Sequence, residues 1–133
     1  MTCSYPTYDF CIWRGEDKEF IFSFSYKDGE GSKIPLVLDE YTFSMTVGLA
    51  YPKKVFDKLT TQNGRLTTGA LKDGVFTPSK EGSNVLCAMF THEATRKIPE
   101  GDAAYSLIKI DKEGKREIML TGKVTVHGGI EYE

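Results

Sequence analysis

Residues 41–50 read YTFSMTVGLA, and the alternation within them decides the fold. Successive side chains of an extended chain point to opposite faces, so Tyr41, Phe43, Met45, Val47 and Leu49 share one side. Thr42, Ser44, Thr46 and Gly48 share the other. The same period runs through residues 19–26, EFIFSFSY, which groups Phe20, Phe22, Phe24 and Tyr26, and through residues 118–126, which group Ile118, Leu120, Val124 and Val126. Strands with one apolar face need a covering layer, so the pattern predicts an all-β domain with Phe22 and Phe43 in its core.

Working outward, residues 8–13 form a first strand after Pro6, and residues 34–38 a short one that Pro35 restricts to an edge. Residues 55–59 suit a short extended piece, Asn63-Gly64 is a hairpin signal, and Val75-Phe76 make a stub before Pro78. Residues 84–90 form another strand, apolar on both sides: Val85, Cys87 and Met89 against Leu86, Ala88 and Phe90. Its second face must be covered by this chain or by another subunit, and the adjacent segment 91–97 favours the first. That segment reads as a two-turn helix capped by Thr91, with Glu93 at its positive end. Residues 104–110 and 116–127 close the chain as a hairpin.

With 133 residues, 40% of them apolar, one domain (1–133, with 1–7 a loose tail) has room for a core without metal or disulfides. Seventeen basic residues against 19 acidic ones, spread evenly for a net charge of −2, argue against nucleic acid. No apolar run reaches a membrane span's length, and MTCSYPTYDF lacks the basic and apolar regions of a secretion signal. The expectation is a protein made in a cytoplasm and kept there or released by lysis. Cys3, Cys11 and Cys87 are a poor disulfide framework, with Cys11 and Cys87 expected as small apolar residues within strands.

Chemistry is scarce. His92-Glu93-Ala94-Thr95-Arg96 opens like a zinc-protease motif but has Arg96 where the second imidazole is needed. No serine sits in a Gly-x-Ser-x-Gly elbow, and Cys87 lies in an apolar strand. Glu16-Asp17 and Asp39-Glu40 are neighbours that an extended chain turns to opposite faces. Asp28-Gly29-Glu30-Gly31 lacks a calcium loop's ligand spacing. Trp13 is the one candidate for an exposed stacking platform, and equally a strand-end core residue. No catalytic residue, metal ligand or cofactor is expected.

The order YDFCIW, GEDKEFIFSFSY, IPLVLDEYTFSMTVG, THEATRKIPEG and AAYSLIKIDKEGKREIMLTGKVTV resembles small immunoglobulin-like proteins of tailed phages, of the baseplate-upper-protein and tail-collar kind. The likeness covers most of residues 8–126, and its most specific pieces are Ile98-Pro99-Glu100-Gly101 before Tyr105-Ser106-Leu107, and the closing Gly122-Lys123-Val124-Thr125-Val126. It lacks the cysteine pair of true immunoglobulin domains, although Tyr105 stands where a tyrosine corner would.

The resemblance implies an antiparallel immunoglobulin-like β-sandwich of seven or eight strands with one short helix. It implies a structural virion protein of a tail, baseplate or collar, made in the host cytoplasm, forming a homo-oligomeric ring that holds other tail proteins and fibres, with no nucleic acid or membrane partner. Ile34, Pro35, Leu36, Leu86 and Phe90 are the candidate interface residues. A sandwich module binding carbohydrate or a protein ligand is the alternative, and an enzyme ranks third.

Overall fold

Alternating segments become eleven strands and one short helix in the computed structural model, which describes residues 6–27, 29–31, 33–35, 37–49, 53–79 and 82–128. In chain order they are β1 (Phe10–Trp13), β2 (Lys18–Ser23), β3 (Ser25–Lys27), β4 (Lys33–Pro35), β5 (Thr42–Leu49) and β6 (Lys54–Thr60). There follow β7 (Leu66–Lys72), β8 (Val75–Pro78), β9 (Val85–Phe90), α1 (His92–Arg96), β10 (Gly101–Ile110) and β11 (Arg116–His127).

Nine strands make two sheets. Sheet A has the order β1-β11-β10-β5-β6, and sheet B the order β2-β9-β7-β8; β3 and β4 pair separately. The all-β sandwich is therefore as the alternation predicts, but with eleven strands among the described residues instead of seven or eight. The aromatic strand supplies one of the extra elements: it breaks at Phe24, so β2 joins sheet B while β3 pairs with β4. One pair is not antiparallel. β1 lies parallel to β11, Phe10 opposite Val124 and Trp13 opposite His127.

The connection through Asn63-Gly64 is not a hairpin, because β6 and β7 lie in different sheets. A type I′ turn needs two residues at positive φ, and here only Gly64 has one. The Asn63 side chain instead binds the loop, accepting from the Thr60 and Arg65 N–H groups at 3.0 Å each. The hairpin in this region is β7–β8, turned by Asp73 (φ 51°) and Gly74 (φ 78°), so the expected stub at Val75 is half of a ladder.

Inward-facing residues meet between the sheets. Phe43, Met45 and Val47 from β5, Leu107 from β10 and Val124 from β11 pack against Leu66, Leu86, Ala88 and Phe90 from sheet B. Phe22 and Phe43 are both buried, as expected. Burying a side chain of this size stabilises by roughly 1.5–3 kcal/mol each before ordering costs are counted. Cys11 departs from expectation: β1 alternates buried and exposed, and Cys11 takes an exposed position with Trp13 while Phe10 and Ile12 go inward.

Tyr105 is not a tyrosine corner either. Its hydroxyl donates to the carbonyl of Tyr8, at the far end of the sequence, in place of a nearby upstream carbonyl. Gly122 makes room for that carbonyl: a Cβ there would lie 2.1 Å from the Tyr8 oxygen. The Lys123 N–H adds a bond to the Asp9 carboxylate at 2.8 Å, so the lead-in to β1 is sewn onto β11.

Candidate functional site

α1 locks one end of the seam between the edge strands β1 and β2. The Thr91 hydroxyl caps the helix by accepting from the Ala94 N–H, as its position predicts. Buried Thr95 accepts from the Gly15 N–H at 3.0 Å and donates to the Glu16 carbonyl at 2.9 Å, which holds the β1–β2 turn. Asp17 accepts from the His92 N–H at 2.6 Å and lies 3.0 Å from its ring nitrogen; chiefly the backbone bond holds its carboxyl below the ordinary carboxylate range. His92 is thereby a partner of this turn. His127 stacks on Trp13, with ring centroids 4.8 Å apart, and leaves the indole 49% exposed.

At the other end the seam opens into a groove of about 530 Å³. Pro6, Tyr8 and Leu120 form one wall, and six consecutive residues, Glu19 to Phe24, form the other. A wall made of consecutive residues is the lateral edge of a strand, since side chains of one face alone would appear at every second position. The groove thus runs along the edge of β2 that has no neighbour in sheet B.

The second feature is the outward face of sheet B. Pairing places Ile21 beside Cys87 and Thr67, Glu19 beside Met89, and Gly69 beside Val85. Ile21 (42% exposed), Met89 (39%) and Leu71 (43%) stand in solvent around buried Val85 and Cys87. Burial, with a contribution from the Glu19 charge, pushes the Cys87 thiol up, so it is an unreactive packing group.

The expected interface residues divide three ways. Ile34 and Pro35 lie in β4, and Leu36 falls outside the described residues. Leu86 and Phe90 are each 0% exposed, packed against sheet A, which corrects their assignment to a partner surface. The side of β9 that can meet a neighbour is the opposite one, with Met89. The residues missed are Ile21 and Leu71; the signal for Ile21 was an isoleucine between phenylalanines, apolar where alternation calls for a polar residue.

Among the described residues no group of three His, Cys, Asp or Glu side chains comes together to hold a metal, and no helix is long and apolar enough to cross a membrane. Asp39 is committed to structure: its carboxylate accepts from the Gly82 and Ser83 N–H groups and the Ser83 hydroxyl at 2.7–2.8 Å. Those bonds, the hydroxyl's first, lower its pKa. The fold and surfaces define a two-layer β-sandwich with an apolar outer sheet face and an aromatic groove along one edge. Compared with known proteins, the chain matches no family model and no curated protein.

Proposed function

We propose that this chain is an immunoglobulin-like structural module of a tailed-phage particle, part of a tail, baseplate or collar. The observation that carries the reading is the apolar outward face of sheet B, which is suited to burial against a neighbour. Its strand order also supports it: β11-β10-β5-β6 corresponds to the G, F, C and C′ strands of variable-type domains, and β2-β9-β7 to B, E and D. The segment order quoted from the sequence supplies the link to phage proteins, and fold alone does not fix function.

Imaging of particles tests the proposal. The expected outcome is density for this chain in symmetric copies, with Ile21, Met89 and Leu71 turned toward another virion protein. Particles without the chain would overturn it. One observation favours a second reading, a carbohydrate-binding module: Tyr8 and Trp13 are both half exposed, and aromatic rings stack on sugars. Titration with glycans, followed by tryptophan fluorescence, separates the two.

A further inference from the structure

The four lateral edges of the sandwich are not protected alike. Exposed strand edges invite pairing with other chains, and proteins blunt them with short strands, charges, prolines or bulges. In sheet A, β1 has only four residues, and β6 carries Lys54, Asp57 and Lys58 opposite a bulge at Val47/Gly48. In sheet B, β8 has four residues and ends at Pro78. β2 has six residues in regular register with β9, and its last four, Phe20-Ile21-Phe22-Ser23, carry neither charge nor proline. Apart from Lys18 and Glu19 at its start, the strand lining this groove therefore has nothing to repel a partner strand.

We infer that β2 pairs antiparallel with β2 of a second copy of this chain, about a two-fold axis through Ile21, joining the two four-stranded sheets into one of eight strands. The register follows from side-chain chemistry. With Ile21 on the axis, Ile21 meets its own copy, Phe20 lies opposite Phe22 of the second copy, and Glu19 lies opposite Ser23 of the second copy. From Glu19 to Ser23 every apolar residue meets an apolar one and the carboxylate meets a hydroxyl, with no like charges opposed, and Lys18 meets Phe24 only beyond the strand end. Moving the axis to Phe20 sets Lys18 and Glu19 against Phe22 and Ile21; moving it to Phe22 runs the ladder past the strand end at Phe24. Placing it between two residues turns inner side chains onto the outer face.

The pairing also merges the two outward faces, so Ile21 and Met89 of both copies form one apolar surface. It deepens the assembly reading above by naming a contact that joins copies in pairs, yet the two fail separately: particle imaging judges that reading, and the purified chain judges this one. An edge contact falls short of the roughly 800 Å² per partner of stable interfaces, so the dimer is a weak one.

Sedimentation equilibrium of the purified chain from about 10 µM to about 1 mM is expected to show a monomer–dimer equilibrium, and Ile21→Lys to weaken it at least about tenfold by placing two like charges on the axis. Circular dichroism confirms that this surface variant keeps its fold. Independently, Ile21→Cys with Cys3→Ser, Cys11→Ser and Cys87→Ala, the last because Cys87 is the cross-strand partner of position 21 in its own chain, is expected to form a disulfide dimer under mild oxidation, because directly opposed Cα atoms lie within disulfide reach. Leu71→Cys in the same background, equally exposed but two strands from the edge, is expected to stay monomeric. A wild-type chain that is monomeric at about 1 mM overturns the inference. So does a dimer insensitive to Ile21→Lys, or cross-linking no faster at position 21 than at position 71.

Discussion

The outer faces of the two sheets differ in how far they leave their apolar side chains in solvent. Sheet A turns Thr42, Thr46, Ser106, Lys123 and Thr125 outward, together with half-buried Ile108, Ile110 and Ile118 around a buried Ser44, and with Val55 exposed on its edge strand β6. Sheet B shows Ile21, Met89 and Leu71 around a buried valine and cysteine. Both sheets bury the centre of their inner faces, with Phe43, Met45 and Val47 of one against Leu86, Ala88 and Phe90 of the other, so the contrast does not come from the core. Folding half-covers the isoleucines of one outer face, whereas the other keeps Ile21, Met89 and Leu71 exposed.

The sharpest check is that inner positions cost alike in either sheet. Phe43→Ala from sheet A and Phe90→Ala from sheet B each remove a ring with no more than 1% exposure, and each is expected to lose about 3–5 kcal/mol in urea unfolding. A loss below about 1 kcal/mol at Phe90 would place it at the surface and undo the division.

Next comes the clip between the layers. Arg65 makes two bonds of 2.6 and 2.7 Å to Asp57 of sheet A and donates to the Met89 carbonyl of sheet B. Asp57→Ala strands a largely buried guanidinium and is expected to cost about 2–3 kcal/mol, below the value for a fully buried pair because 19% of Arg65 is exposed. A double-mutant cycle with Arg65→Ala isolates the pair's share.

Gly122→Ala tests the seam of sheet A. Its Cβ would collide with the Tyr8 carbonyl, so an expected loss of about 1–3 kcal/mol should coincide with faster hydrogen exchange at Tyr8 and Lys123, whose N–H groups bind Thr121 and Asp9.

Acid is a milder probe. The folded pKa of Asp39 is lowered, so its contribution is complete above the ordinary value of 3.8 and is lost as pH falls through the folded value. Stability measured from pH 6 down to pH 2 should fall less steeply in Asp39→Asn than in the natural chain, which has the most to lose at the higher pH. The smallest effect is expected outside sheet B, where Met89→Ser should change monomer stability by no more than about 0.5 kcal/mol. A larger loss would mean that the chain covers this face itself.

Much of this was legible in the sequence. The alternation in β5 and β11, the Thr91 cap and the closing hairpin appear where their residues place them, because each is decided by neighbours a few positions away. β7 was not legible: LTTGALK mixes Gly69 and Ala70 with threonines, and its strand character comes from pairing with β9. Sheet membership was equally hidden, since Asn63-Gly64 reads the same whether the chain turns back within a sheet or crosses to the other. The candidate surfaces needed three dimensions, because Ile21, Met89 and Leu71 lie on three different strands.

The parallel contact of β1 with β11 governs how the molecule comes into being. An early strand has its sheet partner near the other end of the sequence, with every other element between them. During synthesis β1 must wait, its partner unmade, while β2 to β10 emerge. Long-range closure of this kind is slow, so the nascent chain carries an unpaired aromatic strand until β11 has emerged. The seam that completes sheet A cannot close until all the strands between its two halves have been made.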